Sequence, residues 1–235
     1  MQFSPDSAKR NAANAAVTHV KDGMIVGLGS GTTAAYAIMA LGERKKHENI
    51  QILGIPSSYQ AFQLAVQNGI PVTTLEEHPI IDVNIDGADQ IDPNLNLIKG
   101  MGAALAREKI VAAASKQNII VADEKKHVPT LGTNNHPVPT EVLPFGISLV
   151  QHKMTQIGGS CLLRETKGKL GPVISDNGNA IMDITFGTIK DPAKLERDIK
   201  MIPGVVETGL FIGLTNIVYL ATEIKVKKLE RKNHQ

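Results

Sequence analysis

Two short segments combine charged side chains with glycines at a spacing suited to proton transfer. The first, Asp86-Gly-Ala-Asp89, follows a strand-like stretch and places two carboxylates around a glycine, with a third aspartate, Asp92, three residues further on. The second, Lys99-Gly-Met-Gly102, opens a helical pattern in which Glu108 lies further along. Carboxylates act as general acids and bases, and an ammonium group with loop amides stabilises a developing oxyanion. The residues therefore predict proton transfer on a small anionic substrate.

Both segments also have structural interpretations. The aspartates are compatible with a turn capped by Asx side chains, and Glu108 with a surface position in a charged triplet. Its sequence neighbours Arg107 and Lys109 point elsewhere, because only residues three or four apart share a helix face. A divalent cation at the aspartates would need more oxygen ligands, and the seven histidines lack zinc-like spacing. We therefore expect no metal and no cofactor.

A glycine-rich turn upstream is a candidate phosphate site. The run Gly27-Leu-Gly-Ser-Gly-Thr-Thr33 follows a strand pattern and opens a helix, where free amides and the helix dipole attract phosphate. It lacks the Gly-Lys-Ser/Thr ending of a P-loop and the third glycine of a dinucleotide fingerprint. Lys126, after the strand ending at Asp123, offers a cation to the same rim. A tight turn that binds nothing, and a solvated lysine, are the alternatives.

The elements that must position these groups alternate between strand and helix in the first half of the chain. Helical patterns cover residues 6–20, 33–41, 58–67 and 103–114, and strand patterns cover 24–28, 50–55, 71–75, 80–86 and 118–123. This alternation predicts a mostly parallel, Rossmann-like sheet flanked by helices, an α/β fold. Ligands of such sheets bind beyond the carboxyl ends of the strands, where the candidate segments and the pair Ser57-Ser58 fall.

In the second half, strand and helix patterns no longer alternate regularly, and this predicts a smaller α+β (ferredoxin-like) domain. Residues 132–144 contain three prolines and predict a connector; a helix over 146–157, a strand near 160–164 and a hairpin turning at 176–179 follow. Asp191 and Pro192 predict the start of a helix ending at Met201, with strands at 210–212 and 216–220. We expect a catalytic domain of 1–131 plus 208–235 and a smaller domain of 132–207.

Composition excludes several classes of function. The chain has 235 residues with a net charge of +2, and only 3% are aromatic, so neither a field for a polyanion nor a stacking platform for nucleic acid is expected. No apolar run reaches the ~18 residues that span a membrane. Cys161 is the single cysteine, which excludes an intramolecular disulfide. The first ten residues show no signal-peptide pattern, so a cytoplasmic location is expected.

Taken together, the motifs resemble those of the type A ribose-5-phosphate isomerase family. The resemblance covers most of the chain in order and includes the segments Gly29-Ser-Gly-Thr-Thr33, Asp86-Gly-Ala-Asp89, Lys99-Gly-Met-Gly102, Ala106-Arg-Glu108-Lys-Ile, Val121-Ala-Asp-Glu-Lys-Lys126, Ser175-Asp-Asn-Gly-Asn179 and Ile202-Pro-Gly-Val-Val-Glu-Thr-Gly-Leu-Phe211. It implies interconversion of ribose 5-phosphate and ribulose 5-phosphate, in the non-oxidative pentose phosphate pathway, without a metal. It also implies a sugar phosphate as the small-molecule partner and a homodimer or a tetramer.

The resemblance also implies roles for particular residues. Glu108 matches the proton acceptor, with Asp86, Asp89 and Lys99 as further catalytic groups. The substrate-binding segments correspond to Ser30, Gly31, Thr32, Thr33, Asp86, Gly87, Ala88, Asp89, Lys99, Gly100, Met101, Gly102 and Lys126. Met101 departs from the family's usual glycine. An ordinary φ at this position tolerates methionine, whereas a positive φ favours glycine.

Three other functions remain open at this point. A sugar-phosphate sensor would share the fold without chemistry, but residues 1–22 are too few for a helix-turn-helix. A CoA transferase shares the general architecture and uses a glutamate as a nucleophile. An isomerase acting on an amino or deoxy sugar phosphate is the alternative nearest to the implied activity.

Overall fold

The computed structural model describes residues 7–231, so residue 6 of the first predicted helix, most of the first ten residues and residues 232–235 lie outside the described part. The helices are α1 (Ser7–Val17), α2 (Thr32–Glu48), α3 (Tyr59–Gln67), α4 (Leu105–Ala113), α5 (Ile147–Gln156) and α6 (Pro192–Lys200). The strands are β1 (Ile25–Leu28), β2 (Leu53–Pro56), β3 (Ile81–Asp86), β4 (Gln90–Ile91), β5 (Leu97–Ile98), β6 (Ser115–Asp123), β7 (Val138–Val142), β8 (Ser160–Leu163), β9 (Ala180–Thr185), β10 (Val205–Thr208), β11 (Leu210–Phe211), β12 (Ile217–Ala221) and β13 (Val226–Glu230).

The chain divides into two compact units. The first consists of the described parts of 1–88, 107–127 and 214–235, and the second consists of 89–106 and 128–213. The predicted domains, 1–131 plus 208–235 and 132–207, differ from these units over 89–106, 128–131 and 208–213, and most of the difference lies in 89–106. Those residues belong to the second unit because β4 and β5 form a small antiparallel sheet with β11, in the order β11-β5-β4.

The first unit is built on a six-stranded sheet in the order β13-β12-β6-β3-β1-β2. Its neighbours pair in parallel except β12 and β13, which form an antiparallel hairpin at one edge. The predicted mostly parallel sheet with flanking helices is confirmed. Four of the five parallel strands, β1, β2, β3 and β6, end at Leu28, Pro56, Asp86 and Asp123, so the loops that follow them leave the same edge.

Small side chains let the helices approach this sheet closely. Ala12, Ala13 and Ala16 of α1 are fully buried in the main apolar cluster, which also contains Val83 and Ile85 of β3. A smaller cluster joins Ile55, Ile81 and Val111 of α4. The burial of apolar surface in such clusters is the main favourable term in folding, at about 25 cal/mol per Å².

Two predicted elements of the first unit are corrected. Helix α2 was predicted to stop near Gly42 but continues to Glu48 and ends at Asn49 with φ 55°. A Cβ at Gly42 would lie 2.7 Å from the Cβ of Asn68, so this glycine permits close packing and does not end the helix. The predicted strand 71–75 is wrong, because only a single bridge joins Val72 to Gly54.

The second unit contains a four-stranded antiparallel sheet in the order β10-β7-β9-β8. The chain order β7-α5-β8-β9-α6-β10 is the βαββαβ arrangement of ferredoxin-like domains, which confirms the predicted fold of the smaller domain. Its own apolar cluster includes Val138, Val150, Met182, Ile184 and Ile199. Helix α6 begins as predicted, since Asp191 accepts a hydrogen bond from the Lys194 N–H at 2.9 Å.

The predicted connector over 132–144 is wrong in its second half. Residues 138–142 form β7, an inner strand that pairs with both β9 and β10. Proline usually argues against an inner strand because it cannot donate a hydrogen bond. Pro139 is accommodated here, and its carbonyl accepts a bond from the Gly209 N–H at 2.6 Å.

Among the described residues, no helix is both long enough and apolar enough to cross a membrane.

Candidate active site

The glycine-rich turn after β1 is held by the ends of two neighbouring strands. The Ser30 N–H donates to Oδ1 of Asp86 at 3.1 Å, and the Ser30 hydroxyl lies 2.9 Å from Ser57 Oγ and 2.6 Å from Ser58 Oγ. Gly31 has φ 91° at the N-cap of α2, and its N–H donates to Gln60 Oε1 at 2.9 Å. Thr32 and Thr33 form the first turn of the helix. This turn therefore has a fixed conformation at the start of a 17-residue helix.

Asp86 is the buried carboxylate that holds the glycine-rich turn in place. It is 1% exposed at the end of β3, and its Oδ1 accepts bonds from the N–H groups of Ser30 and Gly87 at 3.1 and 2.7 Å. A Cβ at Gly29 would lie 2.2 Å from this oxygen, so only glycine allows the approach. Ala88, two residues beyond Asp86, is the last residue of this part of the first unit and is half-buried.

The serines that contact Ser30 are only partly found by sequence reasoning. Ser57 and Ser58 follow β2 and were expected at the same sheet edge, but not as partners of Ser30. Ser58 caps α3 by accepting a bond from the Ala61 N–H at 3.1 Å, and a serine before a helical pattern is a readable signal. Gln60 gives no such signal, since its role depends on contact with a turn far away in sequence.

Glu108 and Lys126 complete the first unit's candidates. Glu108 is only 5% exposed and lies in the first turn of α4, which excludes a surface position in a charged triplet. Lys126 is half-buried and ends the short 3-10 turn Glu124–Lys126 that directly follows β6. Asp123 begins this turn by accepting a bond from the Lys125 N–H at 2.8 Å.

Lys99 is the buried cation of the second unit. It is 3% exposed, and its Nζ lies 5.5 Å from the centre of the Phe211 ring. Its backbone N–H donates to the Gly209 carbonyl at 2.9 Å. A Cβ at Gly209 would lie 2.2 Å from the Lys99 carbonyl oxygen, so this glycine allows the two segments to pass closely.

In the loop after Lys99, one glycine has a positive φ and the next two residues are exposed. Gly100 has φ 112°, a conformation that favours glycine. Met101 and Gly102 are exposed, and Met101 is not among the described residues with positive φ. The ordinary φ answers the question raised by the sequence: methionine is tolerated where the family usually has glycine.

Asp89 and Asp92, the second and third aspartates of the motif, have different tasks. Asp89 Oδ2 accepts a bond from the Met101 N–H at 3.0 Å, which ties the aspartate to the loop. Asp92 is buried and accepts bonds from the N–H groups of Asn94 and Asn96 at 2.9 and 2.8 Å. The Asx-turn interpretation thus holds for Asp92.

The predicted residues therefore form two hydrogen-bonded groups, one in each unit. The first unit's group contains Ser30, Gly31, Thr32, Thr33, Asp86 and Gly87, with Glu108 and Lys126 on neighbouring elements. The second unit's group contains Asp89, Lys99, Gly100, Met101 and Gly102. Sequence reasoning missed Arg164 of the second unit, which contacts this loop, and Asp183, which binds the Arg164 side chain. Nothing in their local sequence indicates these contacts.

The chemistry available is acid–base and electrostatic. The first unit supplies two buried carboxylates, hydroxyl donors and a helix N-terminus, and the second supplies a buried ammonium and loop amides. Among the described residues, no group of three or more histidine, cysteine, aspartate or glutamate side chains is arranged to hold a metal ion.

Comparisons with known proteins agree with this reading. A family model of ribose 5-phosphate isomerase A (phosphoriboisomerase A) matches residues 53–225. Ribose-5-phosphate isomerase A of Methanothermobacter thermautotrophicus is 45% identical over 221 residues, covering 94% of this chain and 96% of that protein. The structure of ribose 5-phosphate isomerase A from Methanocaldococcus jannaschii has a TM-score of 0.90 at 42% identity, covering 94% and 97% of the two chains. A D-ribose-5-phosphate isomerase in complex with phospho-erythronic acid has a TM-score of 0.92 at 45% identity, covering 95% and 97%.

Proposed function

This chain belongs to the ribose 5-phosphate isomerase A family, and we propose that Glu108 moves the proton in its reaction. The enzyme interconverts D-ribose 5-phosphate and D-ribulose 5-phosphate, a step of the non-oxidative pentose phosphate pathway. In this proposal Glu108 takes the proton from C2 of the aldose, and the electron pair forms the C1–C2 double bond of an enediolate. The same carboxyl returns the proton to C1, while the hydroxyl proton moves from O2 to O1.

The burial of two oppositely charged residues is the observation that supports these roles most strongly. Glu108 is 5% exposed and Lys99 is 3% exposed. Removing a charged group from water costs several kcal/mol, and such residues are rarely buried without a specific reason. Proton transfer and charge stabilisation are reasons that match the reaction of the family.

Lys99 and the loop amides would make proton removal feasible. A glutamate of ordinary pKa, about 4.3, is a weak base for a C–H bond, and each missing pKa unit costs about 1.4 kcal/mol. The enediolate must therefore be stabilised where its charge develops. One well-placed donor contributes roughly 3–4 kcal/mol, so Lys99 and the amides of Gly100 and Gly102 would supply the required stabilisation, while the Met101 N–H holds Asp89.

The remaining residues would hold the substrate. We assign the phosphate to the turn from Ser30 to Thr33, where hydroxyls and the N-terminus of α2 favour an anion, with Lys126 as a further cation. Asp86 and Asp89 would hold sugar hydroxyls or assist ring opening. Anchoring the phosphate fixes the position of the reacting carbons, which lowers the entropic part of the barrier.

Replacing Glu108 by glutamine tests the proposal. Glutamine has nearly the same shape but cannot accept the proton, so kcat of Glu108→Gln should fall by at least about 100-fold. Binding of phospho-erythronic acid, measured by calorimetry, should stay within a few-fold of the unsubstituted protein. Full activity of Glu108→Gln would remove Glu108 from this role.

The family resemblance also leads us to propose a cytoplasmic homodimer. Exposed apolar side chains in the second unit support a surface for a partner: Phe145 is 99% exposed, and Leu143 and Leu149 are 48% and 46% exposed. Such groups of exposed apolar residues commonly mark interaction sites.

A further inference from the structure

We propose that Arg164 is a positioning residue that sets the direction of the loop amides after Lys99. The proposal rests on the function assigned above to Lys99, Gly100, Met101 and Gly102. Arg164 directly follows β8, and its side chain spans from this loop to Asp183 of β9, all within the second unit.

The guanidinium group of Arg164 bonds on two sides. Its Nη1 donates to the carbonyls of Gly100 and Met101 at 2.9 and 3.0 Å. On the other side, Nε donates to Oδ2 of Asp183 at 2.7 Å, and Nη2 donates to Oδ1 of the same carboxylate. The side chains of Arg164 and Asp183 are only 11% and 15% exposed. A planar guanidinium held by a bidentate carboxylate has a fixed orientation.

Fixing two carbonyls also fixes two amides. A peptide unit is planar and trans, so its N–H points opposite to its C=O. The Gly100 carbonyl shares its peptide unit with the Met101 N–H, which donates to Asp89 at 3.0 Å. The Met101 carbonyl shares its unit with the Gly102 N–H. Arg164 therefore determines where both N–H groups point, and hydrogen bonding at the carbonyls also strengthens the amides as donors.

Arg164 itself is braced by the hairpin that contains the motif 175–179. The Arg164 N–H donates to the Ile181 carbonyl at 2.9 Å, and the Arg164 carbonyl accepts from the Val173 N–H at 2.7 Å. Within the turn, the side chains of Ser175, Asn177 and Asn179 donate to Oε1 of the fully buried Glu141 at 2.9, 3.0 and 2.7 Å. The motif thus has a structural task that supports the position of Arg164.

Charge stabilisation depends on donors that are aligned before the reaction begins. Lysine can supply the charge of Arg164 but not its planar fork, so Arg164→Lys should leave the loop without a fixed orientation. We expect kcat of Arg164→Lys to fall by about 10- to 100-fold, because small misplacements of catalytic groups have effects of this size. KM for ribose 5-phosphate should stay within about threefold, since the phosphate anchor is unchanged.

Arg44 provides a matched control. Its guanidinium also bonds to one carboxylate, that of Glu48, and to two backbone carbonyls, those of Val17 and Val20. Arg44→Lys removes the same type of arrangement outside the loop, so its kcat should stay within about twofold of the unsubstituted protein.

Chemical rescue distinguishes positioning from a general effect on folding. Guanidinium ion at millimolar concentration should restore part of the kcat of Arg164→Ala, whereas the same concentration of ammonium should not. If Arg164→Lys melts much earlier than the unsubstituted protein, the rescue alone decides: recovery by guanidinium supports the proposal, and no recovery overturns it.

The outcome is separable from that of the proposed function. Unchanged kcat in a folded Arg164→Lys, together with an inactive Glu108→Gln, would overturn the positioning role and leave the assignment of Glu108 intact. Full activity of Glu108→Gln would overturn the proposed function instead.

Discussion

Gly100 is the residue at which the loop tolerates change least. It has φ 112°, and a Cβ there would lie 2.8 Å from Leu105 Cδ2 and 2.9 Å from Pro139 Cβ. Strain and overpacking therefore add, and we expect Gly100→Ala to lower the free energy of unfolding by about 2–4 kcal/mol. Denaturant unfolding measures this, and kcat should fall as well.

Two variants serve as controls for that prediction. Gly23 has φ 79° with nothing within 4 Å of the added Cβ, so Gly23→Ala should cost only about 1–2 kcal/mol from backbone strain. Met101→Gly should keep kcat within about threefold, because the backbone at Met101 does not require glycine. Equal losses for Gly100→Ala and Gly23→Ala would contradict the packing argument.

At the residue scale, most candidates could be predicted from the sequence, because charged side chains close to glycines form an unusual combination. Asp86, Lys99 and Glu108 were singled out in this way, and all three are buried. Arg164 was not found, because its contact with Gly100 joins residues 64 positions apart. A pattern read along the chain contains no information about such a pairing.

At the element scale, the contact between α1 and β12 should respond to pH. His19, just after α1, lies with Nε2 2.7 Å from the Tyr219 hydroxyl of β12. Burial, and then the positive charge of Lys228, lower the pKa of His19 below its usual 6.5. The unfolded chain therefore takes up this proton first, and stability is lost as the pH falls below about 6.5.

His19→Gln should show a smaller loss of Tm between pH 7.5 and pH 5.5 than the unsubstituted protein, because glutamine keeps a polar group near Tyr219 without titrating. Thermal melts at the two pH values measure the difference. An equal or greater loss in His19→Gln would contradict the assigned direction of the pKa.

Elements with a regular pattern were predicted well, and those decided by tertiary contacts were not. Helix α6 and the parallel strands follow from capping and from alternation of strand and helix. Gly42 lies inside helix α2 because a side chain there would collide with Asn68, so this glycine marks a close contact and not a helix end. Strand β7 forms despite Pro139 because strands on both sides pair with it. Both outcomes depend on partners that lie elsewhere in the chain.

At the scale of the whole molecule, the proposed homodimer has a simple consequence. Light scattering at micromolar concentration should give twice the mass of one chain. Phe145→Ser, which removes the most exposed aromatic side chain of the candidate surface, serves as a comparison. A monomer at all accessible concentrations would contradict the proposed dimer.

The central claim is that one carboxyl group, that of Glu108, moves hydrogen between C1 and C2 of the sugar phosphate. NMR of ribose 5-phosphate in D₂O tests it directly, by following the signal of the hydrogen on C2. We expect the unsubstituted protein to convert the sugar with partial exchange of this hydrogen for deuterium, and Glu108→Gln to bind the sugar with neither conversion nor exchange. Exchange by Glu108→Gln at an unreduced rate would contradict the account.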